Sequence, residues 1–260
     1  MPRSFLESLF GLQDRTVVVI GGTGVLGGAL CEGIAAAGAH VVVAGRSEER
    51  GAARVEAIRE AGGEASFIAV DVESRDSIEE LCRKAYEARG SVYGLLNGAG
   101  VNSAKPFFQI SDEDWDRVLS TNLKATFQAS QIFGRRMTEA GEGSIVNIGS
   151  VTSFRPLSKV FAYSASKAAL LNFTRNVARE FAPRGVRVNC LCPGFFPAEQ
   201  NRKILTPERT ESIMRHTPIG RFGEPSELVG ATLLLLAPNA GSFITGEAIY
   251  VDGGFTAMMI

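Results

Sequence analysis

A glycine-rich run, Gly21-Gly22-Thr23-Gly24-Val25-Leu26-Gly27-Gly28, stands between the β-branched segment 16–20 and a helical stretch over 24–37. Glycines there permit a tight turn and let backbone N–H groups at the positive end of the helix meet a pyrophosphate. A strand before and a helix after separate such a loop from an ordinary turn. The run therefore predicts a dinucleotide site at Gly21, Thr23, Gly24, Val25, Leu26 and Gly27.

The pattern of this first unit repeats along the chain. Short apolar runs at 16–20, 40–44, 65–70, 94–97, 143–149, 186–191 and 248–251 alternate with helical stretches at 24–37, 48–61, 74–89, 112–140, 161–182 and 225–236. That alternation builds βαβ units on a parallel sheet, and runs too apolar for one wet face predict helices on both sides. Neither a linker nor a repeat interrupts the rhythm, so residues 1–260 read as one domain. One insertion, at about 192–223, carries Pro193, Pro197, Pro207 and Pro218. A segment that long without strand character is usually functional.

Charge and cysteine usage exclude several classes. The net charge of −1 gives no broad basic field, which argues against nucleic acid or an anionic membrane as partner. Cys31, Cys82, Cys190 and Cys192 form no CxxC pair and have no metal-ligand spacing to His40 or His216, so they read as reduced and structural, with no metal site. Glu7 interrupts the N-terminal apolar stretch too early for a signal-peptide core, and the apolar stretch 228–237 is too short for a bilayer. The expected location is cytoplasmic.

The second strand ends Val43-Ala44-Gly45-Arg46-Ser47. A site selective for NAD places an acid here to hold the ribose 2′-hydroxyl, and a carboxylate would repel the extra phosphate of NADP. Gly45 leaves room instead, and Arg46 offers a permanently charged planar fork. NADP(H) is favoured, and NAD(H) stays open. Asp71, with Val72 behind it, closes the third strand, where a carboxylate can accept from the adenine amino group. Asn97-Gly98-Ala99-Gly100 closes the fourth, with small residues that let the chain pass beneath the cofactor.

Ser150 lies just beyond the fifth strand, and Tyr163 and Lys167 are four apart on the next helix, sharing a face. A phenol with a pKa of about 10 is only about one part in a thousand ionised at pH 7. An ammonium ion beside it favours phenolate and brings it toward use as a base. In the reducing direction the phenol donates its proton to the developing alkoxide, and the Ser150 hydroxyl steadies it. This spacing, Ser150, Tyr163 and Lys167, resembles the signature of the short-chain dehydrogenase/reductase family, and the likeness runs from about Asp14 to Gly254.

The resemblance implies a Rossmann-type α/β fold, a doubly wound seven-stranded parallel sheet with helices on both faces. It adds Asn122 as a fourth catalytic member that binds a water relaying protons to the lysine. By the same likeness Tyr163 and Lys167 hold nicotinamide ribose hydroxyls, and Pro193-Gly194, with Phe196 just beyond, positions the nicotinamide. The usual assembly is a homotetramer built partly on the helices starting near Asp112 and Phe161. Three positions depart from the family pattern: Val25 replaces the middle glycine of the loop, Gly98 replaces an asparagine, and Ala198 replaces a threonine.

The substrate is expected between Ser150-Tyr163 and the insertion. Phe195, Gln200, Asn201 and Arg202 there, with Arg155 and Lys159 between Ser150 and Tyr163, suit a hydroxylated anion. The segments 194–202 and 154–157, with the Val25 variant of the loop, are similar to the mannonate (fructuronate) oxidoreductase branch, which interconverts D-fructuronate and D-mannonate. Gluconate or another sugar acid stays open. The competing readings are a carbonyl reductase for apolar ketones or acyl thioesters, and a non-catalytic NADP-binding sensor or scaffold.

Overall fold

The valines of the first strand show why the sheet is buried on both sides. Val17 and Val19 point into one hydrophobic cluster with Leu30, Ile34, Val55 and Leu235, while Val18 and Ile20 point into another with Ile78, Leu81, Phe133 and Met137. Successive side chains of a strand face opposite ways, so a run of five buried residues needs two cores. Each fully buried valine or leucine contributes about 1.5–3 kcal/mol.

The computed structural model describes residues 4–196 and 206–258. Its strands are β1 Thr16–Ile20, β2 His40–Gly45, β3 Glu64–Ala69, β4 Gly94–Asn97, β5 Gly143–Ile148, β6 Val186–Pro193 and β7 Ala248–Val251. They lie in the order β3-β2-β1-β4-β5-β6-β7, every neighbouring pair parallel. The order reverses between β1 and β4, and a doubly wound sheet binds its ligands in the crevice at such a switch point. Ile20 is in register with Ala44 on one side and Asn97 on the other, and Asn97 with Asn147, so the strand ends form one ledge.

Helices α2 Val25–Ala36 and α3 Glu48–Glu60 cover the first face, and α4 Arg75–Arg89 the second. The stretch expected as one helix over 112–140 is divided. It runs as α5 Asp112–Leu119, a π-helical turn Ser120–Lys124, and α6 Ala125–Ala140. The long helix α7 Phe161–Phe181 follows β5. The expected helix at 225–236 opens as a 3₁₀ turn, Pro225–Leu228, before α9 Val229–Leu236. Arg187 of β6 donates to the carbonyls of Leu235, Leu236 and Ala237, at 2.6, 3.0 and 3.2 Å, and so caps that helix.

Two helices were not anticipated. Helix α1, Phe5–Phe10, is closed by a capping box in which Ser4 and Glu7 bond each other's backbone N–H groups. Helix α8, Pro207–Arg215, lies inside the insertion, with Thr206 as N-cap and proline in its first position. Both signals lie in the sequence, Ser4-x-x-Glu7 and Thr206-Pro207. All four cysteines are buried and free. Among the described residues no helix is long and apolar enough to cross a membrane, and no group of three His, Cys, Asp or Glu side chains is placed to hold a metal ion.

Candidate active site

The glycine loop has the tightness its sequence demands. Gly21 sits at φ +88°, and a β-carbon there would lie 2.8–2.9 Å from the backbone of Gly98 and Ala99. A β-carbon on Gly27 would meet the Gly21 carbonyl oxygen at 2.2 Å. The cap residue Gly24 offers no side chain, so the first-turn N–H groups of α2 have no capping partner from it. This cradle of backbone donors fits a pyrophosphate. Val25 opens the helix 44% exposed and is not among the atoms nearest the β-carbon positions of Gly21 or Gly27, so a side chain is accommodated where the family has its middle glycine.

At the end of β2 one expectation changes. The space beside Gly45 is filled by Thr23, whose hydroxyl would lie 2.5 Å from a β-carbon at that position. Room for a 2′-phosphate therefore lies out toward Arg46, which is exposed and pairs with no carboxylate among the described residues. Ser47 caps α3 by accepting from the Arg50 N–H. Asp71 is exposed, and its carboxylate accepts from the Glu73 N–H at 3.0 Å; Val72 is half-buried beside it.

The Asn97 side chain turns inward rather than up to the ledge. Its amide donates to Asn147 at 2.9 Å and to Ser130 at 3.3 Å, and Asn147 donates on to Thr174 at 2.9 Å. That leaves the small, half-buried Gly98, Ala99 and Gly100 as the floor. Phe196 likewise turns into the core, where its ring fills the space beside Gly223. Pro193 ends β6, and Gly194 crosses the next turn so closely that a β-carbon would lie 2.6 Å from the Asp252 α-carbon.

Next to this floor the four catalytic candidates come together. The Ser150 hydroxyl accepts from the Thr152 N–H at 3.2 Å and lies close enough to the Tyr163 phenol to favour its ionised form. Lys167 is 4% exposed, donates to the Ile148 carbonyl at 2.6 Å, and holds its Nζ 5.6 Å from the centre of the Tyr163 ring. Asn122 is fully buried in the π-helical turn, where it accepts from the Val101 N–H at 2.8 Å and donates to the Val101 carbonyl and Ser166 at 3.0 and 3.1 Å. A β-carbon on Gly100 would stand 3.4 Å from Asn122 Oδ1 and 3.8 Å from Lys167 Nζ, so floor and catalytic group touch.

The family model described as enoyl-(acyl carrier protein) reductase matches residues 24–256. The chain belongs to the short-chain dehydrogenase/reductase family. It is an NAD(P)-dependent oxidoreductase of CH–OH groups. This dehydrogenase/reductase is 37% identical to the uncharacterized oxidoreductase UxuB of Bacillus subtilis, over 95% of this chain and 96% of that one. It is 34% identical to gluconate 5-dehydrogenase of Gluconobacter oxydans, over 96% and 98%. The solved gluconate 5-dehydrogenase of Burkholderia cenocepacia, in complex with NADP and tartrate, superposes with a TM-score of 0.93 at 31% identity, covering 98% of this chain and all of that one.

One detail of this short-chain dehydrogenase/reductase differs from what the sequence implied. Lys167 was expected to draw the phenol down. Instead burial pushes Tyr163 above the ordinary 10.0, with the Ser150 hydrogen bond as the counterweight. Asn122 spends both amide hydrogens on the Val101 carbonyl and Ser166 and accepts from the Val101 N–H, so its side chain also braces the floor.

On the substrate side, Arg155 is half-buried, Lys159 is exposed with φ +64°, and the Phe195 ring stacks edge-on against Phe255 at 5.1 Å. Gln200, Asn201 and Arg202 lie outside the described residues. A cavity of about 100 Å³ opens beside Phe195, Thr217 and Ile219, and none of the four catalytic candidates lines it.

Burial also lowers Lys167 from 10.5 to about 8. Its charged form thus costs stability below pH 8, and that cost disappears as pH rises from 8 to 10.5, where the unfolded chain alone stays protonated. Lys167→Met is expected to inactivate the enzyme yet raise its pH 7 stability by up to about 3 kcal/mol, less what the Ile148 carbonyl loses with its donor. The gain should shrink above pH 8 in urea titrations; a variant less stable than the parent at pH 7 would show that Lys167 is a net support of the fold.

Proposed function

We propose that this enzyme interconverts a secondary alcohol and a ketone on a sugar acid, using NADP(H) and the set Asn122, Ser150, Tyr163 and Lys167. The gathering of Ser150, Tyr163 and the buried Lys167 carries this reading, because it puts a proton donor, a second hydroxyl and an ammonium group beside one another. When bound, the nicotinamide supplies or accepts the hydride. In the reducing direction Tyr163 gives its proton to the carbonyl oxygen, and Ser150 holds that oxygen by a hydrogen bond. Lys167 remains fixed by Ile148, and Asn122 keeps the floor at Val101 in place.

NADP(H) is supported by the exposed Arg46, which pairs with no carboxylate among the described residues, and by the NADP held in the Burkholderia relative. A sugar acid is supported by the two gluconate 5-dehydrogenases, and within that class we favour the fructuronate–mannonate pair. The whole chain, 1–260, acts as one such domain. A homotetramer completes the proposal, since helices α5, α6 and α7 leave Trp115, Phe127 and Phe161 between 38% and 43% exposed; a monomer in sedimentation velocity would remove that part.

The test follows NADPH and NADH consumption with fructuronate, 5-ketogluconate and an apolar ketone. Turnover of a keto acid with NADPH is expected. Arg46→Ala should raise the KM for NADPH by about 10- to 100-fold, the worth of a charge-assisted hydrogen bond, and leave that for NADH nearly unchanged. Turnover of apolar ketones alone would sink the sugar-acid reading.

A further inference from the structure

Buried polar atoms almost always find partners, and those that do not tend to mark functional places. Among the described residues, six buried side-chain atoms have none: Gln13 Oε1, His40 Nδ1, Asn102 Oδ1, Thr152 Oγ1, Arg155 Nε and Ser164 Oγ. His40 Nδ1 has Glu64 at 3.5 Å as a charge neighbour. Three of the others, Asn102, Thr152 and Arg155, lie on the two loops that frame the catalytic group. Asn102 follows Val101, whose N–H and carbonyl are both clamped by Asn122. Thr152 bonds the Ser150 hydroxyl through its backbone, and the Arg155 N–H reaches back to the Val151 carbonyl at 2.9 Å.

Arg155 is the most informative. Its Nη2 donates to the Thr256 carbonyl at 3.1 Å, and the guanidinium stands 5.0 Å over the Phe154 ring. No carboxylate pairs with it among the described residues, and its Nε–H is buried without an acceptor. A guanidinium fixed by a carbonyl and an aromatic face, with its Nε–H still to be paired, suits a carboxylate. The Asn102 amide oxygen lacks a donor, which a substrate hydroxyl provides. The Thr152 hydroxyl can give or take one hydrogen bond.

We propose that Arg155 binds the carboxylate of the substrate while Asn102 and Thr152 take its hydroxyls, so that these three residues set the specificity for a polyhydroxylated acid. This rests on the sugar-acid reading above. It assigns the acid end to a residue on the Ser150 side of the site, five positions past that serine.

The test compares keto acids with neutral ketoses that differ only in a hydroxymethyl group for the carboxylate: fructuronate with fructose, and 5-ketogluconate with L-sorbose. Arg155→Gln should raise the KM for the acid by about a hundredfold, the worth of a lost charged hydrogen bond, with kcat and the neutral ketose little affected. Arg155→Lys, which keeps the charge without the fork, should fall between. Asn102→Leu should raise the KM for both members of a pair.

Thermal melting and NADPH fluorescence check that each variant is folded. Equal losses on acid and ketose in both Arg155 variants would make the arginine a tie to Thr256 and overturn the proposal. A wild-type enzyme that reduces keto acids while Arg155→Gln does so equally well would overturn it and leave the sugar-acid reading standing. A wild-type enzyme inert toward every keto acid would remove that reading and the carboxylate site with it.

Discussion

Tyr163→Phe is expected to lower kcat by about a thousandfold or more, within the range that general acid–base groups supply, while NADPH binding followed by fluorescence changes little. The substitution removes one oxygen and leaves the ring beside Lys167 Nζ. What disappears is the phenol proton that the proposed mechanism gives to the carbonyl, together with the partner of the Ser150 hydroxyl. Because burial holds the phenol above 10.0, it is protonated at neutral pH and ready as an acid; oxidation of the alcohol, which needs the phenolate, should speed up with rising pH. A variant retaining more than about a tenth of the activity would show that another group moves the proton.

Gly27→Ala should be nearly as damaging, by a different route. The new methyl would stand 2.2 Å from the Gly21 oxygen, 2.8 Å from its carbonyl carbon and 3.1 Å from the Gly22 α-carbon, all of them backbone. Gly21 has no room to retreat, since Gly98 and Ala99 are already against it. Helix α2 must therefore move off the loop that its own N-terminus completes. We expect a loss of about 1–3 kcal/mol in stability, as for other overpacked sites. NADPH affinity should weaken about a hundredfold, since misplaced backbone donors forfeit two charge-assisted hydrogen bonds. Gly230→Ala is the internal control. A β-carbon there meets nothing within 4 Å in α9, so that change should stabilise the helix by about 0.5–1 kcal/mol. Normal NADPH binding by Gly27→Ala would refute the tight-cradle description.

Much of this was legible because each feature has a local cause. Period and composition placed all seven strands, with ends off by two residues at most, since an apolar β-branched run bounded by turns has few other uses. That Ser150, Tyr163 and Lys167 come together was legible from their spacing and the family signature it resembles. The direction of side chains was not. Asn97 sits where a strand end could present it to a ligand, yet Asn147 and Ser130, far away in sequence, draw it inside. Thr23 filling the space at Gly45 and Phe196 filling the space at Gly223 are also meetings between distant segments. Nothing local announces them. Helices α1 and α8 differ in kind, because their caps could be read and the weak apolar pattern between them could not.

The π-helical turn at Ser120–Lys124 has a consequence for how this chain can change. Such a turn holds one residue more than an α-helix needs, so α5 and α6 are out of phase by about 100°, the rotation of a single residue. A one-residue deletion there would heal the helix and swing Asn122 away from Val101 and Ser166, even though every amino acid of the site survived. A substitution at an exposed position of α5 or α6 leaves that phase untouched, whereas a change of length at the turn does not.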